Sequence, residues 1–156
     1  MGGFTLAALL NKYRIDIWLA QKVTTAAKGQ LWISVIGFFA VTSFLSMWMS
    51  NTSTTAMMLP IAIALVDKQY PRMRAYIVLG TAYAANIGGL ATPVGSPPNG
   101  IAVSALDIDF LTWFKVGFPS TIMMFPIVVI ALWFVIRPEK NATVNHLGGK
   151  EGLIMA

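Results

Sequence analysis

The chain has 156 residues, of which 56% are hydrophobic and 11% charged, and it contains no cysteine. Soluble domains carry about 25% charged residues, so the composition excludes an ordinary soluble domain and points to a membrane; without cysteine there is no disulfide or thiolate metal site. The net charge is +5, but the basic residues flank apolar runs instead of forming one stripe, which argues for cytoplasmic loops beside membrane spans and against nucleic acid.

In chain order, residues 1–10 are apolar but shorter than the about 20 residues a crossing needs. No charged segment precedes them, so they read as the tail of a truncated span and not as a signal peptide. The chain is therefore expected to be a fragment of a longer protein. In residues 11–30, Lys12, Arg14, Asp16, Lys22 and Lys28 interleave with Ile15, Ile17, Trp18, Leu19 and Val23. That mixture predicts a helix lying in the membrane interface, with a plain cytoplasmic loop as the alternative.

Residues 31–49 would make a helix of roughly 28 Å and residues 56–66 one of roughly 16 Å. The second is too short for a hydrocarbon core of about 30 Å. Between them lies Ser50-Asn51-Thr52-Ser53-Thr54-Thr55. Lys28 flanks one outer end and Lys68, Arg72 and Arg74 the other, which places both ends in the cytoplasm. Residues 31–66 are thus predicted to form a re-entrant hairpin whose polar tip stops part-way through the membrane. Two full crossings remain the alternative, with the threonine hydroxyls bonded back to their helix.

Residues 75–87 and 99–106 are again too short to cross alone. Joined through a Gly/Pro-rich stretch, residues 75–106 read as one broken helix running from the basic side to Asp107 and Asp109. Residues 110–136 return as a transmembrane helix, with Lys115 snorkelling outward and Pro119 and Pro126 as possible kinks. Residues 137–156, with Arg137, Lys140, His146 and Lys150, read as a cytoplasmic tail. His146 is the sole histidine and sits in a Gly-rich polar segment, so it reads as solvated and not as a metal ligand.

Unwound backbone at membrane depth survives only where it lines a cavity or is buried in protein. Two interrupted apolar segments, rich in Gly, Pro and small hydroxyl or amide residues, point to an ion and substrate site near the bilayer midplane. A helix ending at Met49 would present carbonyls to a cation, and one starting near Ser53 would present amides to an anion. Neither knot contains Asp, Glu, Lys or Arg, which favours sodium over a proton as the coupling ion. Plain helix packing also uses Gly, Ser and Thr. However, the two prolines within residues 95–99 cannot continue a helix, so that break is real.

At these residues the sequence resembles the divalent anion:sodium symporter family of di- and tricarboxylate transporters. The matching strings are Ser50-Asn51-Thr52-Ser53-Thr54-Thr55-Ala56-Met57-Met58-Leu59-Pro60 and Asn86-Ile87-Gly88-Gly89 through Thr92-Pro93-Val94-Gly95-Ser96-Pro97-Pro98-Asn99. The resemblance implies an all-α membrane protein, namely one of two inverted repeats of an elevator-type homodimer, each with a hairpin tipped by Ser-Asn-Thr. It implies that Ser50, Asn51 and Thr52 contact sodium and substrate. It also implies that Ser46 and the Gly95 backbone complete a sodium site, while Thr92, Ser96, Pro97 and Asn99 shape the pocket. No cofactor beyond the coupling sodium ion is implied. The setting implied is a multi-pass protein of the bacterial inner membrane.

The second repeat, with its own Ser-Asn-Thr, is absent from this sequence, so half of the implied site must come from elsewhere. The leading expectation is sodium-coupled uptake of dicarboxylates such as succinate or malate. Sodium-independent exchange, or carriage of sulfate or tricarboxylates, stays open, as does a non-transporting membrane module or assembly partner. No Ser/His/Asp set or metal cluster supports an enzyme.

Overall fold

The computed structural model describes Lys22 and residues 30–143. The truncated span expected at 1–10, nearly all of the interfacial helix expected at 11–30, and the tail beyond 143 with His146 lie outside the described residues. Among those residues the fold is all-helical, without a strand. The helices are α1 (Leu31–Ser46), α2 (Asn51–Ala64), α3 (Pro71–Gly89), α4 (Pro97–Leu106) and α5 (Phe110–Ile136).

Local chemistry sets most of the boundaries. α1 ends in a tightened turn, with the Met47 and Trp48 amides bonded to the Phe44 and Leu45 carbonyls at 3.2 and 3.1 Å. Ser50 then caps α2 by accepting from the Ser53 amide at 3.2 Å. The first knot is therefore narrower than its composition predicts. Asn51 to Thr55 form the opening turns of α2, because the cap satisfies an end that apolar residues would leave bare. The prolines of the second knot also differ from expectation. Pro97 and Pro98 open α4, where the first turn needs no amide donor, so the break itself is residues 90–96. α5 starts on Asp109, whose carboxylate accepts from the Thr112 amide at 3.1 Å. The Thr112 side chain and backbone together hold that carboxyl below its ordinary range. Asp107 and Arg137 stop α4 and α5 in left-handed conformation, at φ 51° and 50°.

α3 is the central helix and packs against α1, α2 and α5. One apolar cluster joins Val35 and Phe38 of α1, Met58 and Ile61 of α2, Met73 and Ile77 of α3, and Ala142 beyond α5. α1 and α2 thus form a hairpin closed on α3. The tail after α5 folds back onto the same end of the bundle.

The lengths sort the helices. α5 is about 40 Å long and α1 and α2 about 24 and 21 Å, against a hydrocarbon core of about 30 Å. Among the described residues, α5 is the helix long and apolar enough to cross a membrane, with a mean hydropathy of 2.2 over its best 18-residue window. Pro119 and Pro126 lie inside it without ending it.

Candidate ion and substrate site

The two breaks meet in space. Thr92, fully buried in the second break, donates its hydroxyl to the Met47 carbonyl at the end of α1. It also receives the Gly95 amide on Oγ1 at 3.1 Å. Asn99, in the first turn of α4, donates from Nδ2 to the Gly89 carbonyl at 2.8 Å and to the Thr92 carbonyl at 3.0 Å. Both side chains are consumed in stapling the break together. Neither lines the cavity that opens beside Asn51.

At the junction sits the Asn51 carboxamide. In one orientation Ser46 Oγ donates to Asn51 Oδ1 at 2.9 Å, and Asn51 Nδ2 donates to Asn86 Oδ1 at 3.1 Å. Turned over, the amide gives its NH2 to Ser46 Oγ at 2.9 Å and to the Ala85 and Gly95 carbonyls, both at 3.2 Å, while Oδ1 lies 3.1 Å from Asn86 Oδ1, so that the Asn86 carboxamide must turn over with it to offer its NH2. The second orientation is the better one. It turns hydrogen-bond donors toward oxygens that otherwise face another oxygen. Either way, three oxygens from three segments converge on one side of Asn51.

Two glycines make this approach possible. A Cβ on Gly89 would collide with the Asn51 carboxamide, and one on Gly95 would lie 2.5 Å from the Gly89 carbonyl. Gly95 has no positive φ. It is small because the chain passes close by, and not because it needs a left-handed backbone.

Beside this cluster opens a cavity of about 360 Å³ lined by Asn51, Thr52, Thr55, Ala56 and Asn86. Three backbone groups of these lining residues lack a helical partner. The Asn51 and Thr52 amides belong to the first turn of α2 and have no helical acceptor. They lie at the positive end of the helix dipole, worth about half a charge. Pro60, inside α2, has no amide hydrogen for the Ala56 carbonyl. Thr52 itself is exposed. The site contains no ionised side chain.

The structure brings Ser46, Asn51 and Gly95 together and sets Thr52 on the adjoining cavity. Ser50 stands apart: its hydroxyl accepts from the Ser53 amide and donates to Ser53 Oγ at 2.8 Å. Ser96 is the residue before α4 and makes no side-chain cap, and Pro97 is exposed. Neither lines the cavity. Sequence reasoning missed Ala85, Asn86, Thr55 and Ala56. Asn86 opens the second motif string and carried a signal. Ala85 offers only its carbonyl, which no side-chain pattern reveals.

α5 braces the second break from outside. Trp113 Nε1 donates to the Leu90 carbonyl at 3.1 Å, and Thr121 Oγ1 donates to the Ile87 carbonyl at 3.1 Å. The Leu90 carbonyl lies just past the end of α3, and the Ile87 carbonyl also accepts the Leu90 amide at 3.1 Å.

Residues 1–147 match the family described as citrate transporter, CitMHS. A protein of Haemophilus influenzae called an uncharacterized transporter is 43% identical over 143 residues, covering 88% of this chain and 31% of its own. An uncharacterized transporter of Methanocaldococcus jannaschii is also 43% identical, over 139 residues, covering 87% of this chain and 32% of its own. A sodium-dependent dicarboxylate transporter, SdcS, of Staphylococcus saprophyticus is 29% identical over 155 residues, covering 88% and 29%. The chain therefore spans about a third of the length of these relatives.

Proposed function

The chain belongs to the citrate transporter family, and from that premise we propose that it forms one half of the binding site of a sodium-coupled di- or tricarboxylate transporter. It is a transporter component and not an enzyme, and its family is one of integral membrane proteins. The observation that carries the proposal is that one residue, Asn51, belongs both to an oxygen cluster suited to a cation and to a cavity suited to an anion.

The cation would lie among Ser46 Oγ, Asn51 Oδ1 and the Ala85 and Gly95 carbonyls. These are hard, neutral oxygens from the carbonyl ends of α1 and α3, the first residue of α2 and the break before α4, and broken membrane helices hold sodium with such groups. Oxygens that satisfy an amide NH2 group also suit a small cation. A cation there draws Asn51 Oδ1 inward and so turns the NH2 outward, toward Asn86 and the cavity. That reversal supplies a donor to a carboxylate already facing the Asn51 and Thr52 amides. Ion binding thereby prepares anion binding, which is what symport requires. Ser50 joins either ligand only by giving up its cap, at a cost of about 1 kcal/mol.

The α1–α2 hairpin then acts as a re-entrant element with its polar tip at membrane depth, and α3–α4 as a broken crossing. A second half-site would close over the cavity from the rest of a longer polypeptide, in an elevator-type homodimer of the bacterial inner membrane. The description of the matched family favours citrate as one substrate, and the staphylococcal relatives favour dicarboxylates.

The test is uptake of labelled succinate and citrate into proteoliposomes by the complete polypeptide that carries this segment. The expected result is accumulation that needs an inward sodium gradient. Uptake indifferent to sodium would move the assignment to anion exchange. No uptake of either acid would leave a non-transporting module.

A further inference from the structure

At the end of the bundle remote from the breaks, α1, α3 and α5 leave an apolar groove of about 180 Å³. Its walls are Trp32, Ile36, Tyr76, Val129, Ile130 and Trp133. The polar group best placed to spoil it is removed, because the Tyr76 hydroxyl donates to the Val129 carbonyl at 3.1 Å. Trp32 and Tyr76 meet edge to face at 6.1 Å. Ile36 and Ile130 stay 43% and 54% exposed. Trp32 lies at the start of α1, Tyr76 in the second turn of α3 and Trp133 in the last turn of α5, so all three sit at one level. That is the placement of an aromatic belt at a membrane interface.

Charge sits one turn above. Arg72 precedes Tyr76 by four residues. Arg137 follows Trp133 by four, and its amide bonds to the Trp133 carbonyl at 2.9 Å. The two arginines are brought to the same end by Glu139, which accepts the Arg72 amide at 3.2 Å and the Met73 amide at 2.7 Å. Lys68, Arg74 and Lys140 lie within four residues of Arg72 or Arg137 in the chain, as does Glu139, and Asp67 lies five residues before Arg72. Both oxygens of Glu139 are already engaged by backbone amides.

We propose that this groove and its basic rim form a binding site for one anionic phospholipid, with an acyl chain between Trp32, Tyr76 and Trp133 and the headgroup phosphate on Arg72 and Arg137. The groove is too apolar for a polar ligand, and the rim carries the wrong sign for a hydrophobic helix with basic flanks. A phosphate above a hydrocarbon chain complements both parts. Basic pockets between helices at the cytoplasmic surface recognise anionic lipids in this way.

The experiment uses the complete polypeptide in mixed micelles and follows tryptophan fluorescence. The probes are phosphatidylglycerol and phosphatidylcholine, each with brominated acyl chains that quench nearby indoles. The expected result is quenching by phosphatidylglycerol at a several-fold lower mole fraction than by phosphatidylcholine. Trp32→Phe with Trp133→Phe should remove that component. Arg72→Gln with Arg137→Gln should abolish the preference, at about fivefold for each charge lost. It leaves the Arg72 backbone bond to Glu139 intact. High salt should weaken the preference in the wild type but not in the double glutamine variant. Val129→Trp, which fills the groove, should weaken both lipids alike. Equal quenching by the two lipids, or a preference untouched by the arginine variants, would overturn the proposal. So would a groove that neither lipid quenches, which would mean that protein covers it.

Discussion

Glu139 caps a helix that begins far upstream: its Oε2 accepts the Met73 amide, 66 residues earlier in the chain, at 2.7 Å. With Oε1 on the Arg72 amide, one carboxylate serves the second and third positions of α3. The residue before that helix, Tyr70, offers no side-chain cap. The tail after α5 is thereby tied to the start of the central helix, and Ala142 is buried in the shared core.

That contact has a pH signature. Burial pulls the Glu139 carboxyl upward, but its own amide, those of Met73 and Arg72 and the Arg72 charge outweigh it and hold the group below its ordinary value of 4.5. A folded value below the unfolded one means that stability is present above pH 4.5 and is lost as pH falls through the folded value. Glu139→Ala should cost about 1 kcal/mol near neutrality, as other cap removals do. Melting of variant and wild type at pH 7 and below pH 4.5 checks this, since the difference should shrink in acid. A constant difference would show that the carboxylate is not the source.

Asn51→Asp separates the two ligands. The substitution replaces an amide by a carboxylate among three oxygens, so the cation should bind more tightly. The same charge faces the cavity, so anion uptake should fall at least tenfold while folding is retained. Thermal stabilisation by sodium, set beside uptake by the complete carrier, reads both effects. Unchanged uptake would remove Asn51 from the site.

Gly95→Val should disturb the cation first. Its Cβ would lie 2.5 Å from the Gly89 carbonyl, so the break must shift and the Gly95 carbonyl must leave Asn51. The expected outcome is a higher sodium concentration at half-maximal uptake. An unshifted half-saturation, at any maximal rate, would make this segment scaffold only.

Trp113→Phe and Thr121→Val each remove a single hydrogen bond from α5 to the end of α3. Trp113→Phe leaves the Leu90 carbonyl without this partner and should cost about 1 kcal/mol or somewhat more, whereas Thr121→Val leaves the Ile87 carbonyl its bond from the Leu90 amide and should cost about 1 kcal/mol or less. Hydrogen exchange of residues 90–96 should accelerate in both variants. Exchange that rises only in α5 would show that the brace does not steady the break.

The hairpin reading predicts sidedness. Single cysteines at Gln30 and Lys68, which flank α1 and α2, should both react with an impermeant thiol reagent from the cytoplasmic side alone. Reaction from opposite faces would mean that one of these helices crosses fully.

The sequence by itself determined the composition class, the two interruptions and the full extent of α5. Apolar runs, prolines and charged ends are local signals, and the residues 110–136 carry all of them. The resemblance also implied Ser46, Asn51 and Gly95, which the structure brings together; Asn51 and Gly95 lie in the matching strings, and Ser46 stands four residues before the first of them. The tertiary structure decided the rest. Where α2 begins depends on Ser50 finding the Ser53 amide, so Asn51 to Thr55 became helix and not loop. That Thr92 and Asn99 staple the break together could be seen only in the fold, because their side chains reach the Met47, Gly89 and Thr92 carbonyls. The contributions of Ala85 and Glu139 were illegible for a physical reason. One acts through a backbone oxygen that every residue possesses, and the other through a bond that exists only once distant segments have packed.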